Sequence, residues 1–170
     1  NLWKNSRGKS DIVIVCDMDE FIYSEDIESF VNNFHESEST IVKPVGYEMI
    51  IESFDVTKTE DLISEVKEGF RHTHFDKLCM FKPNHIEEIN YNFGSHVANP
   101  KGNVKYFNEE IKLLHYKRLG LEYFLNKMSN YHKRLSNFNR SKSLGFEYDF
   151  TKDKHKDNFI SDLNKKGKVI

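Results

Sequence analysis

An apolar run that stops on acidic groups constrains this chain more than any other segment: Ile12-Val13-Ile14-Val15-Cys16, then Asp17, Asp19 and Glu20. The run is short and mostly β-branched, which predicts a buried strand. Side chains alternate along a strand, so Asp17 and Asp19 face the same way if the extended geometry persists through Met18. Two carboxylates aimed at one point repel each other. A divalent cation shared with a phosphate-bearing substrate relieves that repulsion. In open α/β sheets, ligands bind beyond the carboxyl ends of strands, so position and chemistry agree. The ordinary alternative is an Asp closing a strand as a turn or cap residue, with Glu20 capping the helix that follows.

A length of 170 residues is enough for one domain with its own core. With 38% hydrophobic and 31% charged residues the chain is of the folding, soluble kind. A net charge of −2 gives no electrostatic case for nucleic acid or an anionic membrane as partner. Cys16 and Cys79 lie in apolar segments without metal-ligand spacing, which predicts buried thiols rather than a disulfide. No apolar run approaches the roughly 20 residues of a transmembrane segment. The chain opens at Asn1 rather than Met and reads as a fragment.

Periodicity and punctuation predict the remaining elements. A helix opens at Ser24-Glu25-Asp26 and runs to His35, with Ile27, Phe30, Val31 and Phe34 on one face. A strand over Thr40–Met49 is interrupted by Pro44 and Gly46. A short helix is expected over Asp61–Gly69, and strands over Lys77–Phe81, Ile89–Val97, Val104–Phe107 and Ile111–Tyr116. A helix over Glu122–Leu135 carries Tyr123, Phe124, Met128 and Tyr131, which read as core. Residues 1–150 form the main domain, and 151–170 a polar helix or tail of low stability.

Further groups could carry chemistry. His115 closes the strand Ile111–Tyr116 and would complete a metal set of two carboxylates and one imidazole, although a lone His there is more often structural. Lys117 and Arg118 follow, and cations beside a metal can hold a diphosphate; otherwise they are solvated charge. Asp76 precedes an apolar strand and could deprotonate an acceptor hydroxyl, or pair with Lys77 or Arg71. His72 and His74 flank Thr73, but without a third ligand they read as a polar loop rather than zinc ligands. His96, after Gly94-Ser95, could face a polar substrate or bond within its own turn.

Taken in order, these segments resemble a known group. Val13-Ile14-Val15-Cys16-Asp17-Met18-Asp19-Glu20-Phe21 is similar to the D-x-D-E-F strand of bacterial, family-2-type GT-A glycosyltransferases. Gly46-Tyr47-Glu48-Met49, Asp76-Lys77 with Phe81-Lys82-Pro83, Gly94-Ser95-His96 and Leu114-His115-Tyr116-Lys117 resemble that group's later motifs. Tyr131 through Ser136 resembles a further helix, so the likeness spans Trp3 to Tyr148.

The resemblance implies an α/β fold, the C-terminal portion of a GT-A fold with a mixed sheet and flanking helices. It implies metal-dependent, inverting transfer of a sugar from a nucleotide-diphosphate donor, taken as a UDP-sugar, to a hydroxyl of a saccharide or lipid-linked glycan. The cofactor is Mn²⁺ or Mg²⁺. Asp19, Asp17 and His115 would hold the metal. Asp17, Lys117 and Arg118 would bind the donor, Asp76 would be the catalytic base, with Glu88 and His96 in reserve, and His96 would bind the acceptor. The N-terminal nucleotide-binding half of such a fold is absent from this chain. The location implied is cytoplasmic, at or away from the inner membrane, in polysaccharide biosynthesis. Two rivals stand beside it: a haloacid-dehalogenase-like phosphatase with Asp17 as nucleophile, and a non-catalytic interaction module.

Overall fold

The apolar run before the acids becomes a strand, but a shorter and more exposed one than its composition predicts. The structure is a computed structural model describing residues 2–55, 57 and 61–170. In chain order its elements are β1 (Val13–Ile14), β2 (Glu20–Tyr23), α1 (Ile27–Glu36), β3 (Ile41–Val42), β4 (Val45–Ile51), α2 (Leu62–Glu65), β5 (Glu68–Arg71), β6 (Met80–Phe81), β7 (Ile86–Glu88), β8 (Lys101–Gly102), β9 (Lys112–Leu119), α3 (Leu121–Arg134), α4 (Asn137–Ser141), α5 (Lys152–Leu163) and β10 (Gly167–Lys168). Short 3₁₀ turns cover Leu2–Ser6, Thr73–Phe75 and Phe146–Asp149. The fold is mixed α/β. A five-stranded mixed sheet has the order β10-β5-β4-β9-β2, a three-stranded one the order β1-β6-β3, and β7 pairs with β8.

The chain divides into two units, the first made of residues 1–47 and 72–115, the second of 48–71 and 116–170. In the first unit, β1 is the edge of its sheet and pairs antiparallel with β6, Val13 opposite Phe81 and Ile14 opposite Met80. Val13 and Val15 pack against Trp3, Ile41, Leu78, Phe81, Ile86 and Ile89. Ile14 and Cys16 point the other way and are exposed. Period-2 alternation on an edge strand explains this, and corrects the expectation of a fully buried run. Cys79 is buried as expected, whereas Cys16 is not, and both thiols are free.

Helix α1 starts where Asp26 accepts the Ser29 backbone N–H at 2.9 Å. Phe30 and Phe34, four residues apart, share its inner face with Val42, Met80 and Ile111. Phe34 is fully buried, worth roughly 1.5–3 kcal/mol.

In the second unit α3, α5, β4 and β5 contribute to a core of Ile50, Phe124, Met128 and Phe159, with Phe70 and Tyr131 packed against it. Helix α3 matches the sequence reading to within a residue at each end. The polar tail is helix α5, capped by the Thr151 hydroxyl and anchored by buried Phe159.

Several elements differ from their sequence-based bounds. The helix expected over Asp61–Gly69 stops at Glu65 and the chain continues as β5. Met80–Phe81 is all that pairs of Lys77–Phe81. Ile89–Val97 is not a strand; β7 lies just before it, and Tyr91 and Ala98 form an isolated bridge. Val104–Phe107 contributes only an isolated bridge from Tyr106 to Ile41. In these short apolar runs, partners distant in sequence decide whether backbone pairs.

Candidate functional site

The acidic stretch leaves β1 and turns. Met18 and Asp19 form the bend, closed by the Glu20 N–H donating to the Asp17 carbonyl at 3.1 Å. The expected extended geometry does not persist, so the two aspartates diverge. Asp17 goes to Lys77 and Asp19 to His115.

Lys77 is the centre of the first group. Its ammonium lies 2.9 Å from Asp17 Oδ2 and 2.5 Å from Glu20 Oε1. Glu20 Oε2 also accepts the Asp17 backbone N–H at 3.0 Å. The Lys77 side chain is 3% exposed and that of Glu20 is 0% exposed. A buried charge is tolerated only when paired and hydrogen-bonded, and here one cation meets two carboxylates. Burial works against the ammonium, but hydrogen bonds and charge from Glu20 and Asp17 outweigh it and raise the Lys77 pKa above the ordinary lysine value. Glu20 therefore braces the acidic turn; the cap of α1 comes from Asp26 instead.

Topology brings the second group together. Strand β2 pairs antiparallel with β9 so that Glu20 lies opposite His115. The neighbouring Asp19 carboxylate reaches His115 Nε2 at 3.5 Å. His115 is buried, and the Phe75 ring lies against its imidazole with centroids 4.1 Å apart and planes tilted by 30°. Asp19 is a quarter exposed, so the pair presents an open carboxylate and a buried imidazole. Among the described residues, no group of three or more His, Cys, Asp and Glu side chains is placed to hold a metal.

The segment 72–77 supplies Phe75 and Lys77 and is docked on Gly46. The Gly46 N–H donates to Asp76 Oδ1 at 2.8 Å, and its carbonyl accepts the His72 N–H at 3.0 Å. A Cβ on Gly46 would fall 2.4 Å from the Phe75 carbonyl carbon, so only glycine lets the backbones approach this closely. Asp76 thus holds a backbone amide rather than Lys77. Glu88, a reserve base, is ion-paired with Lys4 at the surface, which holds its carboxyl below the usual range.

His96 and His74 stack with centroids 3.6 Å apart, and His96 Nδ1 is 3.1 Å from the His74 carbonyl oxygen. A carbonyl can only accept, so Nδ1 carries the proton and Nε2 the lone pair. Burial, joined by the positive charges of Lys77 and His74, pushes His96 down to about 4. The imidazole is neutral at pH 7 and suits hydrogen bonding better than proton abstraction. Its pKa is lowered on folding, so its contribution to stability is complete above about pH 6.5 and is lost as pH falls toward 4. In chemical denaturation, His96→Gln should lose less stability than the parent chain between pH 7 and 4.

Lys117 and Arg118 belong to the second unit. Arg118 Nη2 is 2.7 Å from Asp162, with the guanidinium over Phe124. Lys117 lies 5.1 Å from the Tyr148 ring centroid, and burial lowers its pKa. Burial pushes the Cys79 thiol up to about 12 and raises Cys16 also, so neither is a thiolate at neutral pH.

Asp17, Asp19, His115, Asp76 and His96 thus all lie in the first unit, with Asp19 meeting His115 directly. The sequence reading did not single out Glu20 with Lys77, or Phe75. A signal was present: a lysine opening a buried apolar run needs a buried carboxylate partner, and Glu20 directly precedes Phe21-Ile22.

A model of Glycosyltransferase family 92 matches residues 3–154. The chain belongs to glycosyltransferase family 92. The match takes in both acidic groups, strand β9 and helix α3. Membership of family 92 makes the chain part of a sugar-transferring group, as the motif order implied, though the family is 92 rather than the family-2-type group it resembled. Neither the phosphatase nor the interaction-module reading gains support from family 92. No curated protein and no solved structure matches the chain. No described helix is long and apolar enough to cross a membrane.

Proposed function

We propose that this family 92 chain carries the reaction centre of a GT-A-type glycosyltransferase that moves a sugar from a nucleotide-diphosphate donor to a glycan hydroxyl with inversion. The observation that carries this reading is the approach of Asp19 to His115, which β2–β9 pairing enforces. Asp19, through a carboxylate oxygen, and His115, through an imidazole nitrogen, would hold a Mn²⁺ or Mg²⁺ ion. Such a cation, when bound, neutralises charge developing on the departing diphosphate.

The chain's own residues do the positioning. Glu20 and Lys77 anchor the turn, so that Asp19 is held beside β9. Lys77 fixes Asp17 Oδ2, and the Asp17 side chain is two-thirds exposed, suited to accept a ribose hydroxyl. Phe75 packs on His115 and limits its rotation. On the acceptor side, Asp76 is the carboxylate proposed to take the hydroxyl proton, and His96 Nε2 a hydrogen-bond acceptor for a neighbouring hydroxyl of the same sugar.

Mn²⁺ titration in the presence of UDP, followed by electron paramagnetic resonance, tests the centre. Asp19→Asn and His115→Gln should each weaken Mn²⁺ binding by at least about tenfold. Unchanged affinity in both would remove the metal assignment. Product NMR on the full-length enzyme reports the anomeric outcome, and retained configuration would exclude single displacement.

A further inference from the structure

The second unit contains a cavity of about 700 Å³ that the reaction centre does not use, lined by residues of α3, the 146–150 turn and the start of α5. Its volume lies within the range of small-molecule sites, roughly 300–1,000 Å³. We infer that this cavity is a binding site for a neutral saccharide, one or two pyranose rings of a glycan. The inference rests on membership of family 92 and not on the Asp19–His115 reading.

The cavity wall has the two-sided character that a pyranose presents. Tyr148, Phe150 and Leu125 supply apolar surface, matching the C–H face of a sugar ring. Tyr148 is set in place by Gly145, which sits at φ 67° and opens the turn. A Cβ there would come within 2.7 Å of the Tyr148 ring. The ring also packs on Tyr131, with centroids 4.9 Å apart. Asn126 and Ser129, on successive turns of α3, line the same space. Neither side chain hydrogen-bonds to a described residue, so their donors and acceptors are available for hydroxyls.

Charge selects against the other small-molecule classes. Glu122 and Lys152, both in the wall, offset each other. His155 is buried in the wall, and burial together with the charges of Lys117 and Arg118 lowers its pKa. A diphosphate would meet the Glu122 carboxylate in the wall, and a purely apolar ligand would strand Asn126 and Ser129 without partners. A neutral polyhydroxylated ring leaves neither deficit.

The test is an amide-resonance NMR titration of the chain with methyl β-glucoside, methyl β-galactoside, N-acetylglucosamine and lactose, without metal or nucleotide. At least one probe is expected to shift Asn126, Ser129 and residues 146–150 with millimolar affinity. Tyr148→Ala should weaken that binding about tenfold, the worth of one aromatic contact. Ser129→Trp, at an exposed helix position, should abolish it by filling the space, and a thermal melt would show whether each variant is folded. Asp19→Asn should leave saccharide binding unchanged, so loss of the metal site and loss of this site read out separately. Absence of shifts at 146–150 with every probe, full binding in folded Ser129→Trp, or shifts at Asn126, Ser129 and 146–150 with UDP alone would each overturn the inference.

Discussion

Replacing Lys77 by Met should cost roughly 3–5 kcal/mol of folding stability, measured by chemical denaturation at pH 7. The substitution keeps the volume of the stem but removes the ammonium. Glu20, whose side chain has no exposed surface, is then a buried carboxylate with only the Asp17 amide hydrogen bond, and Asp17 loses its ion partner. The cost comes mainly from the stranded charge rather than from losing a favourable pair. Adding Glu20→Gln to Lys77→Met should therefore restore much of the loss, because the neutral amide leaves no charge behind. If the double variant is no more stable than Lys77→Met, the buried-pair account fails. The pH dependence has a defined sign. Lys77 has a raised folded pKa, so its contribution is full below the ordinary lysine pKa of 10.5 and fades as pH rises through the higher folded value. The parent chain should thus lose stability on the alkaline side, and the double variant should lose less.

The second large effect is expected at Gly46. Gly46→Ala places a methyl 2.4 Å from the Phe75 carbonyl carbon and 2.6 Å from its oxygen. These are backbone atoms, so no rotamer change relieves the contact and the whole 72–77 segment must move. A loss of about 3 kcal/mol is expected, the upper end for overpacking. Displacement of that segment carries Phe75 away from His115 and Lys77 away from Glu20, so Mn²⁺ binding should weaken along with stability. Gly167→Ala is the matched control, since its Cβ would meet nothing within 4 Å and its effect should stay within about 0.5 kcal/mol. Equal effects at the two positions would refute the close-approach argument.

How much of this was legible beforehand differs by element. Helices α1 and α3 were readable because each carries a long amphipathic pattern, and α1 a clear cap in Asp26. Strands β1, β3 and β6 lie where strands were expected, but their shortness and partners were not readable, because pairing depends on residues far away in the chain. The acidic group was visible as composition. Its shape was not: alternation predicted parallel aspartates, and a turn at Met18–Asp19 sent them to different partners. The Gly46 amide bond to Asp76 was not foreseen, a contact made possible by a missing side chain elsewhere in the chain.

By itself the sequence determined the family-level chemistry: the order of the acids, the glycine, the lysine and the histidine along the chain points to a sugar transferase, and the family 92 match agrees. It also determined the long helices, whose stabilising contacts recur every three or four residues. Only the tertiary structure decided that Asp19 meets His115, that Lys77 neutralises Glu20 and Asp17, and that α3 and α5 enclose a cavity. Those are pairings between residues remote in sequence. Their geometry is fixed by strand register and backbone approach, which no local pattern encodes.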